Sequence, residues 1–236
     1  MGVTTDDTAG TDIHDIGRNP PAIVIVTGPP CTGKTAIARQ VAEHYSLPWM
    51  GKDTFKEVLF DTLGWKDRAW SKRLSRASVE MLFRFVEAQL RAQRSCVVES
   101  NFKAEFDAAR FLQLRERYAF EPVQIQCVAD GQVLFERFKR RAEGDERHPG
   151  HCDHLNYAEF RATLLQGRLE SLDIGGCTIE IDTTDFGTID YAALYAEINQ
   201  TFEEARAKSH RQKPSPRRST GGICSFPATR CQTRTR

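Results

Sequence analysis

At 236 residues, 40% hydrophobic and 28% charged, the chain has the make-up of a soluble globular protein with one core. No basic start followed by an apolar run marks an export signal, and the longest apolar stretch, Ala22 to Val26, falls far short of the roughly 20 residues of a membrane-spanning helix, so a cytoplasmic protein without membrane insertion is expected. The net charge of +1 conceals an asymmetry: residues 206–236 carry nine Lys and Arg and no acid, leaving 24 basic against 32 acidic groups before them, and a body at −8 lacks the broad basic surface that nucleic-acid affinity needs.

Residues 1–21 are polar and acidic and end in Pro20-Pro21, a composition that buries too little apolar area to offset its ordering entropy, so a disordered segment is expected. Ala22 to Thr27 is a short β-branched run between proline and glycine and reads as a strand buried on both faces. Lys34 to Tyr45 spaces Ile37, Ala38, Val41 and Ala42 as a helix, and Leu47 to Met50 reads as a second strand. Helices are predicted over Asp53 to Leu63 and Trp70 to Arg94, the latter with Leu74, Ala77, Met81, Phe85 and Ala88 as its apolar stripe.

Cys96 to Glu99 gives a third strand, Ala104 to Tyr118 a helix, Val123 to Val128 a fourth strand and Gly131 to Ala142 a helix bearing Arg137, Lys139, Arg140 and Arg141. Glu143 to His154 has no apolar period and contains Pro149-Gly150, which predicts an exposed loop. A helix over Tyr157 to Leu172, a strand over Cys177 to Ile181 and a helix over Ile189 to Phe202 close the pattern. Strands alternating with helices predict an α/β domain over residues 22–205 with a parallel sheet and right-handed crossovers, and residues 206–236 a disordered basic tail. The seven cysteines include no CxxC pair, and Cys96, Cys127 and Cys177 fall in predicted strands, so they are assigned to packing. His148, His151, Cys152 and His154 share one loop but match no zinc spacing.

Gly28-Pro-Pro-Cys-Thr-Gly-Lys-Thr35 fits GxxxxGK[ST] and lies between a predicted strand and a predicted helix, the context in which that motif cradles phosphates. Successive backbone N–H groups and a helix N-terminus converge there on an anion, and the lysine adds a mobile cation. Gly28, Pro29, Pro30, Cys31, Thr32, Gly33, Lys34 and Thr35 therefore form the candidate nucleotide site. Because Pro29 and Pro30 lack an N–H, the donors fall to Cys31 through Thr35, with the Thr35 hydroxyl as candidate Mg²⁺ ligand. No Asn-Lys-x-Asp run is present to read guanine, which makes ATP the expected donor.

Together with Lys52-Asp-Thr-Phe-Lys-Glu57, Val97-Val-Glu-Ser-Asn-Phe102 and Arg147-His-Pro-Gly-His151, this motif resembles a group of small P-loop kinases. The group includes the kinase domain of phage polynucleotide kinase, chloramphenicol phosphotransferase and zeta toxin. The resemblance spans about residues 22 to 204 and implies a three-layer fold, strand order 2-3-1-4-5 and a mobile lid. It implies Asp53 as the base for an attacking hydroxyl, and Arg141 and Arg147 as the lid cations on the transferring phosphoryl group. Glu99, at the end of a strand beside the cradle, stands where many relatives have Asp and is the candidate holder of a Mg²⁺-bound water or of the acceptor. Cys31 stands where many relatives have Gly, and a non-Gly residue resists positive φ. Asp182 to Asp185 borders the expected adenine position by topology.

These residues lead to the expectation of an ATP- and Mg²⁺-dependent phosphotransferase acting on a hydroxyl of a small molecule or a nucleic-acid 5′ end. The acidic body favours the small molecule. The alternative is a P-loop ATPase used as a regulatory switch, without a phosphoryl acceptor. A third reading makes the basic tail a binding arm for RNA or membrane. Neither the acceptor nor the oligomeric state is legible in the chain.

Overall fold

The computed structural model describes residues 20–144, 147–155 and 157–211. The expectations for residues 1–19 and 212–236 lie outside that range. Five parallel strands form one sheet in the order β2-β3-β1-β4-β5, the order the resemblance implied. These are β1 (Ala22–Thr27), β2 (Trp49–Gly51), β3 (Cys96–Glu99), β4 (Glu121–Val128) and β5 (Cys177–Asp182). Helices α1 (Lys34–His44), α2 (Lys52–Leu63), α3 (Arg68–Arg91), α4 (Ala104–Arg117), α5 (Gly131–Glu143), α6 (Tyr157–Leu165) and α7 (Tyr191–Arg211) follow or connect them.

The central strand explains the three layers. Every residue of β1 is buried, and because strand side chains alternate faces, Val24 and Val26 pack toward Ile37, Val41 and Ile198 while Ile23 and Ile25 pack toward Leu82, Val86, Leu90, Phe111 and Leu114. One face of the sheet is thus covered by α1 and α7 and the other by α3 and α4. Cys96 and Cys127 are buried as expected, whereas Cys177, on the edge strand, is half-buried.

Four expectations are corrected. The buried stripe of α3 is Leu74, Ser78, Leu82, Val86 and Leu90, while Ala77, Met81 and Ala88 are exposed. The helix carries two competing i, i+4 rows, and Ser78 belongs to the inward one because its hydroxyl donates to the Leu74 carbonyl at 2.8 Å. Helix α6 stops at Leu165, since Gly167 takes φ 71 and the chain beyond it is held by Gln124, whose side chain bonds both the N–H and the C=O of Leu172. Helix α7 continues past Phe202 to Arg211, beyond the start expected for the tail.

The fourth correction concerns the loop after α5. Two short 3-10 turns, Pro149–His151 and Asp153–Leu155, fold it inward against α2 and α3, and His151, Cys152 and Asp153 are buried rather than exposed. Gly150 makes this approach practicable: a Cβ there would stand 2.8 Å from the Phe60 ring.

Candidate active site

Four segments meet at the carboxyl end of the sheet: the β1–α1 loop, the start of α2, the end of β3 and the inward-folded loop after α5. In the first, Gly28 (φ 146), Cys31 (φ 67) and Gly33 (φ 74) all take positive φ, so Cys31 adopts the conformation that a non-Gly residue resists. Gly28 is required sterically, because a Cβ there would come within 2.3 Å of the Cys127 carbonyl oxygen. The loop is braced internally by Thr32 Oγ1 donating to the Pro29 carbonyl at 3.0 Å. Lys34 Nζ donates to the same oxygen at 2.8 Å.

Helix α1 starts without a side-chain cap or an acid in its first turn. Asp67 and Asp130, by contrast, cap α3 and α5 through their side chains. The Ala36 N–H bonds back to the Gly33 carbonyl at 2.9 Å, and the N–H groups of Lys34 and Thr35 before it, with no side-chain cap, suit a phosphate.

Thr35 and Glu99, predicted as neighbours, are brought together. Thr35 Oγ1 donates to Glu99 Oε2 at 3.2 Å. The extra methylene of Glu99 is accommodated by Gly51, where a Cβ would sit 2.9 Å from Glu99 Oε2. Burial pushes the Lys34 ammonium pKa down and the Glu99 carboxyl pKa up, each being the other's strongest opposing charge.

Asp53 stands in the first turn of α2, one residue after Lys52. Its Oδ2 accepts from Arg147 Nη1 at 3.0 Å, and Lys52 Nζ is 3.2 Å from Oδ1, which itself has no hydrogen-bond partner among the described residues. Burial alone would raise the carboxyl pKa, but the charges of Lys52 and Arg147 outweigh it and hold Asp53 well below the usual carboxylate range.

The two predicted lid arginines differ. Arg147 is committed: besides Asp53 it donates to Asp153 Oδ2 and to His151 Nδ1, each at 2.9 Å. Arg141 is 3.5 Å from Asp153, its buried Nε has no hydrogen-bond partner among the described residues, and its charge acts on the Cys31 thiol. Arg137 is elsewhere, donating to the carbonyls of Thr183 and Thr184 with its guanidinium 4.1 Å from the Phe186 ring centroid. Phe186 in turn leans on the cradle, where a Cβ at Gly33 would meet its ring at 2.5 Å.

The model for the family described as AAA domain matches residues 23–164, which take in the cradle, Asp53, Glu99, Arg141 and Arg147. The chain belongs to the AAA domain family. A crystal structure of a candidate kinase from Chloroflexus aurantiacus j-10-fl is 40% identical to this AAA-domain chain, covering 77% of it and 98% of the other chain with a TM-score of 0.73. A gluconokinase from Sinorhizobium meliloti 1021 aligns at 17% identity over 84% of this chain and 100% of its own, with a TM-score of 0.46. A shikimate kinase from Acinetobacter baumannii aligns at 15% over 78% and 96%, with a TM-score of 0.41. No curated protein matches.

Sequence reasoning gave no role to Asp153, His151, Lys56 or Phe186, although His151 and Lys56 lie in the segments that carry the resemblance. Asp153 was the discoverable one, an acid within a loop whose polar residues otherwise looked solvated. Its partner choice depends on the inward fold of that loop, which no local pattern announces. No group of three or more His, Cys, Asp or Glu able to hold a metal occurs among the described residues. Nor is any helix there long and apolar enough to cross a membrane.

Proposed function

We propose that the protein is an ATP-dependent kinase that transfers the γ-phosphoryl group of Mg·ATP to a hydroxyl of a small molecule, with the α/β domain from β1 to α7 as its catalytic unit. The observation that carries this reading is the convergence of the cradle, where Thr35 Oγ1 bonds Glu99 Oε2, with the start of α2, where Gly51 lies against Glu99 and Arg147 holds Asp53. The 40% identity to a candidate kinase supports it.

The residues fit a polyphosphate and a hard divalent cation. A helix start with unclaimed N–H groups faces the cradle, and the bonded Thr35 hydroxyl and Glu99 carboxylate are oxygen donors of the kind Mg²⁺ takes. Magnesium, when bound, would offset the charge of the β- and γ-phosphates. Lys34 has a flexible stem, and its ammonium needs only to leave the Pro29 carbonyl to reach the transferring group. Arg141, with an unbonded Nε among the described residues, is the arginine assigned to neutralise charge on the phosphoryl oxygens.

Asp53 orients the acceptor. Arg147 fixes Oδ2, and Oδ1 is left to accept the hydrogen bond of the incoming hydroxyl. A carboxylate with so low a pKa is a weak base, which is adequate for a loose transition state in which positioning matters more than early deprotonation. As the acceptor O–P bond forms and the bond to the ADP oxygen breaks, the hydroxyl proton passes to Asp53. The corner made by Arg137, Phe186 and Asp182 to Asp185 adjoins the cradle and is assigned to the adenine. The acidic body favours a small molecule over a nucleic-acid end as acceptor.

The test is incubation with Mg²⁺ and γ-labelled ATP against hydroxylated metabolites, aminoglycosides, nucleosides and 5′-hydroxyl oligonucleotides. Label moved by wild type but not by Asp53→Ala is the expected result. Equal transfer by the two proteins removes the base assignment, and ATP hydrolysis that no acceptor stimulates replaces the kinase with a regulatory ATPase.

A further inference from the structure

Lys56 lies on α2 one turn beyond Asp53 and is 4% exposed. Its Nζ is 3.5 Å from His151 Nδ1 and 5.2 Å from the Phe60 ring centroid. Among the described residues no ion pair joins it to a carboxylate, because every acid nearby is already engaged. Asp53 is held by Arg147 and Lys52, Asp153 by Arg147 and Arg141, Glu57 by His151, and Glu159 by Arg68 and Lys72. The His151 contact is weak, since the single lone pair of Nδ1 is taken by Arg147 at 2.9 Å.

Lys52, Arg147 and Arg68 add like charge, and Asp53 is the main carboxylate that opposes them, so a desolvated ammonium stands in largely cationic surroundings. Such a group is costly to keep, and an apolar side chain would serve packing better. Its location decides what would compensate it. Lys34, Glu99 and Arg141 gather on the cradle side of Asp53, while Lys56 sits with His151 and Phe60 on α2 and the inward-folded loop.

We infer that the acceptor carries an anionic group, a carboxylate or a phosphate ester, beside the hydroxyl that is phosphorylated, and that Lys56 binds it. This rests on the kinase reading and narrows its substrate class. The flexible lysine stem lets Nζ leave the long His151 contact for an anion. Burial first, then the charge of Lys52, brings the Lys56 pKa down to about 8. The groups facing it are Lys52 and Asp53 on α2, Arg68 on α3, and Arg147 and His151 from the loop. Asp53, far below neutrality, Arg147, raised further by its carboxylates, and His151, lowered to about 4 by burial, keep their charge states between pH 7 and 9.

The experiment measures acceptor-stimulated ADP release with matched pairs: glycerol against glycerate, glucose against gluconate, glucose against glucose 6-phosphate, and thymidine against a 5′-hydroxyl thymidine dinucleotide. These arms separate carboxylate, phosphomonoester and phosphodiester sources. One anionic member should exceed its neutral partner, and Lys56→Met should raise its KM about 30-fold with little change in kcat. The neutral partner's KM should stay within about twofold, Lys56→Arg should restore the anionic KM, and the wild-type anionic KM should climb as pH rises through 8 while that of Lys56→Arg stays flat. Preference for neutral members, or an equal KM rise for both members in Lys56→Met, overturns the inference and leaves the kinase standing. Stimulation by neither kind overturns the kinase reading and this inference with it. Should Lys56→Met not fold, the contrast in pH profile between wild type and Lys56→Arg decides.

Discussion

Replacing Arg147 by methionine removes three charge-assisted contacts at once: to Asp153 and His151 at 2.9 Å and to Asp53 at 3.0 Å. Asp153, 6% exposed, is left with Arg141 at 3.5 Å, so most of the cost is that of a buried carboxylate losing its nearest cation. Breaking such a pair from one side costs about 3–5 kcal/mol, and the partial exposure of Asp53 and Arg147 brings the expectation to about 3 kcal/mol. For a domain of this size that is a fall in Tm of roughly 6–12 °C by calorimetry at pH 7.

The loss has a pH signature. Asp53 has a depressed pKa in the fold, so its contribution is fully present above the unfolded carboxylate value and disappears as pH falls through the folded one. The gap between wild type and Arg147→Met should therefore narrow as the solution is acidified below about pH 4. Adding Asp153→Asn to Arg147→Met should recover part of the loss, because the uncompensated charge is gone. A penalty under about 1 kcal/mol, or strictly additive effects in the double variant, would refute the claim that the inward fold of the loop is held by this network.

Asp53→Asn should bind ATP within a few-fold of wild type in a fluorescence titration while phosphoryl transfer falls about 10²- to 10⁴-fold. Gly28→Ala should destabilise by about 3 kcal/mol in urea unfolding, as its Cβ meets the rigid Cys127 carbonyl at 2.3 Å, and Gly33→Ala by less, as the obstacle there is the Phe186 ring edge. Leu82→Ala should cost about 3 kcal/mol and Met81→Ala under 1 kcal/mol, the reverse of the order implied by the apolar stripe read from sequence.

What the sequence disclosed and what it withheld follow one physical division. β1, β3 and the cradle were legible because their signals are local: a β-branched run between a proline and a glycine, and a phosphate motif between strand and helix. The meeting of Thr35 with Glu99 followed from placing Glu99 at the end of a strand beside the cradle that holds Thr35. The inward row of α3 was not legible, because a serine that bonds its own helix counts as polar by composition and as core by position. The end of α6 depended on Gln124, 48 residues before Leu172 in the chain, gripping that residue. The Asp53–Arg147–Asp153 network depended on a loop whose burial comes from α2 and α3, and the lack of an ion pair at Lys56 among the described residues is visible only once the neighbouring acids have been assigned.

The account stands on uptake of a nucleotide by the β1–α1 loop, and calorimetric titration of the full-length protein with Mg·ATP measures that directly. One equivalent should bind, and Lys34→Met should bind at least about tenfold more weakly. A folded wild-type protein that takes up no Mg·ATP, or a Lys34→Met variant that binds it as well as wild type does, would contradict the account.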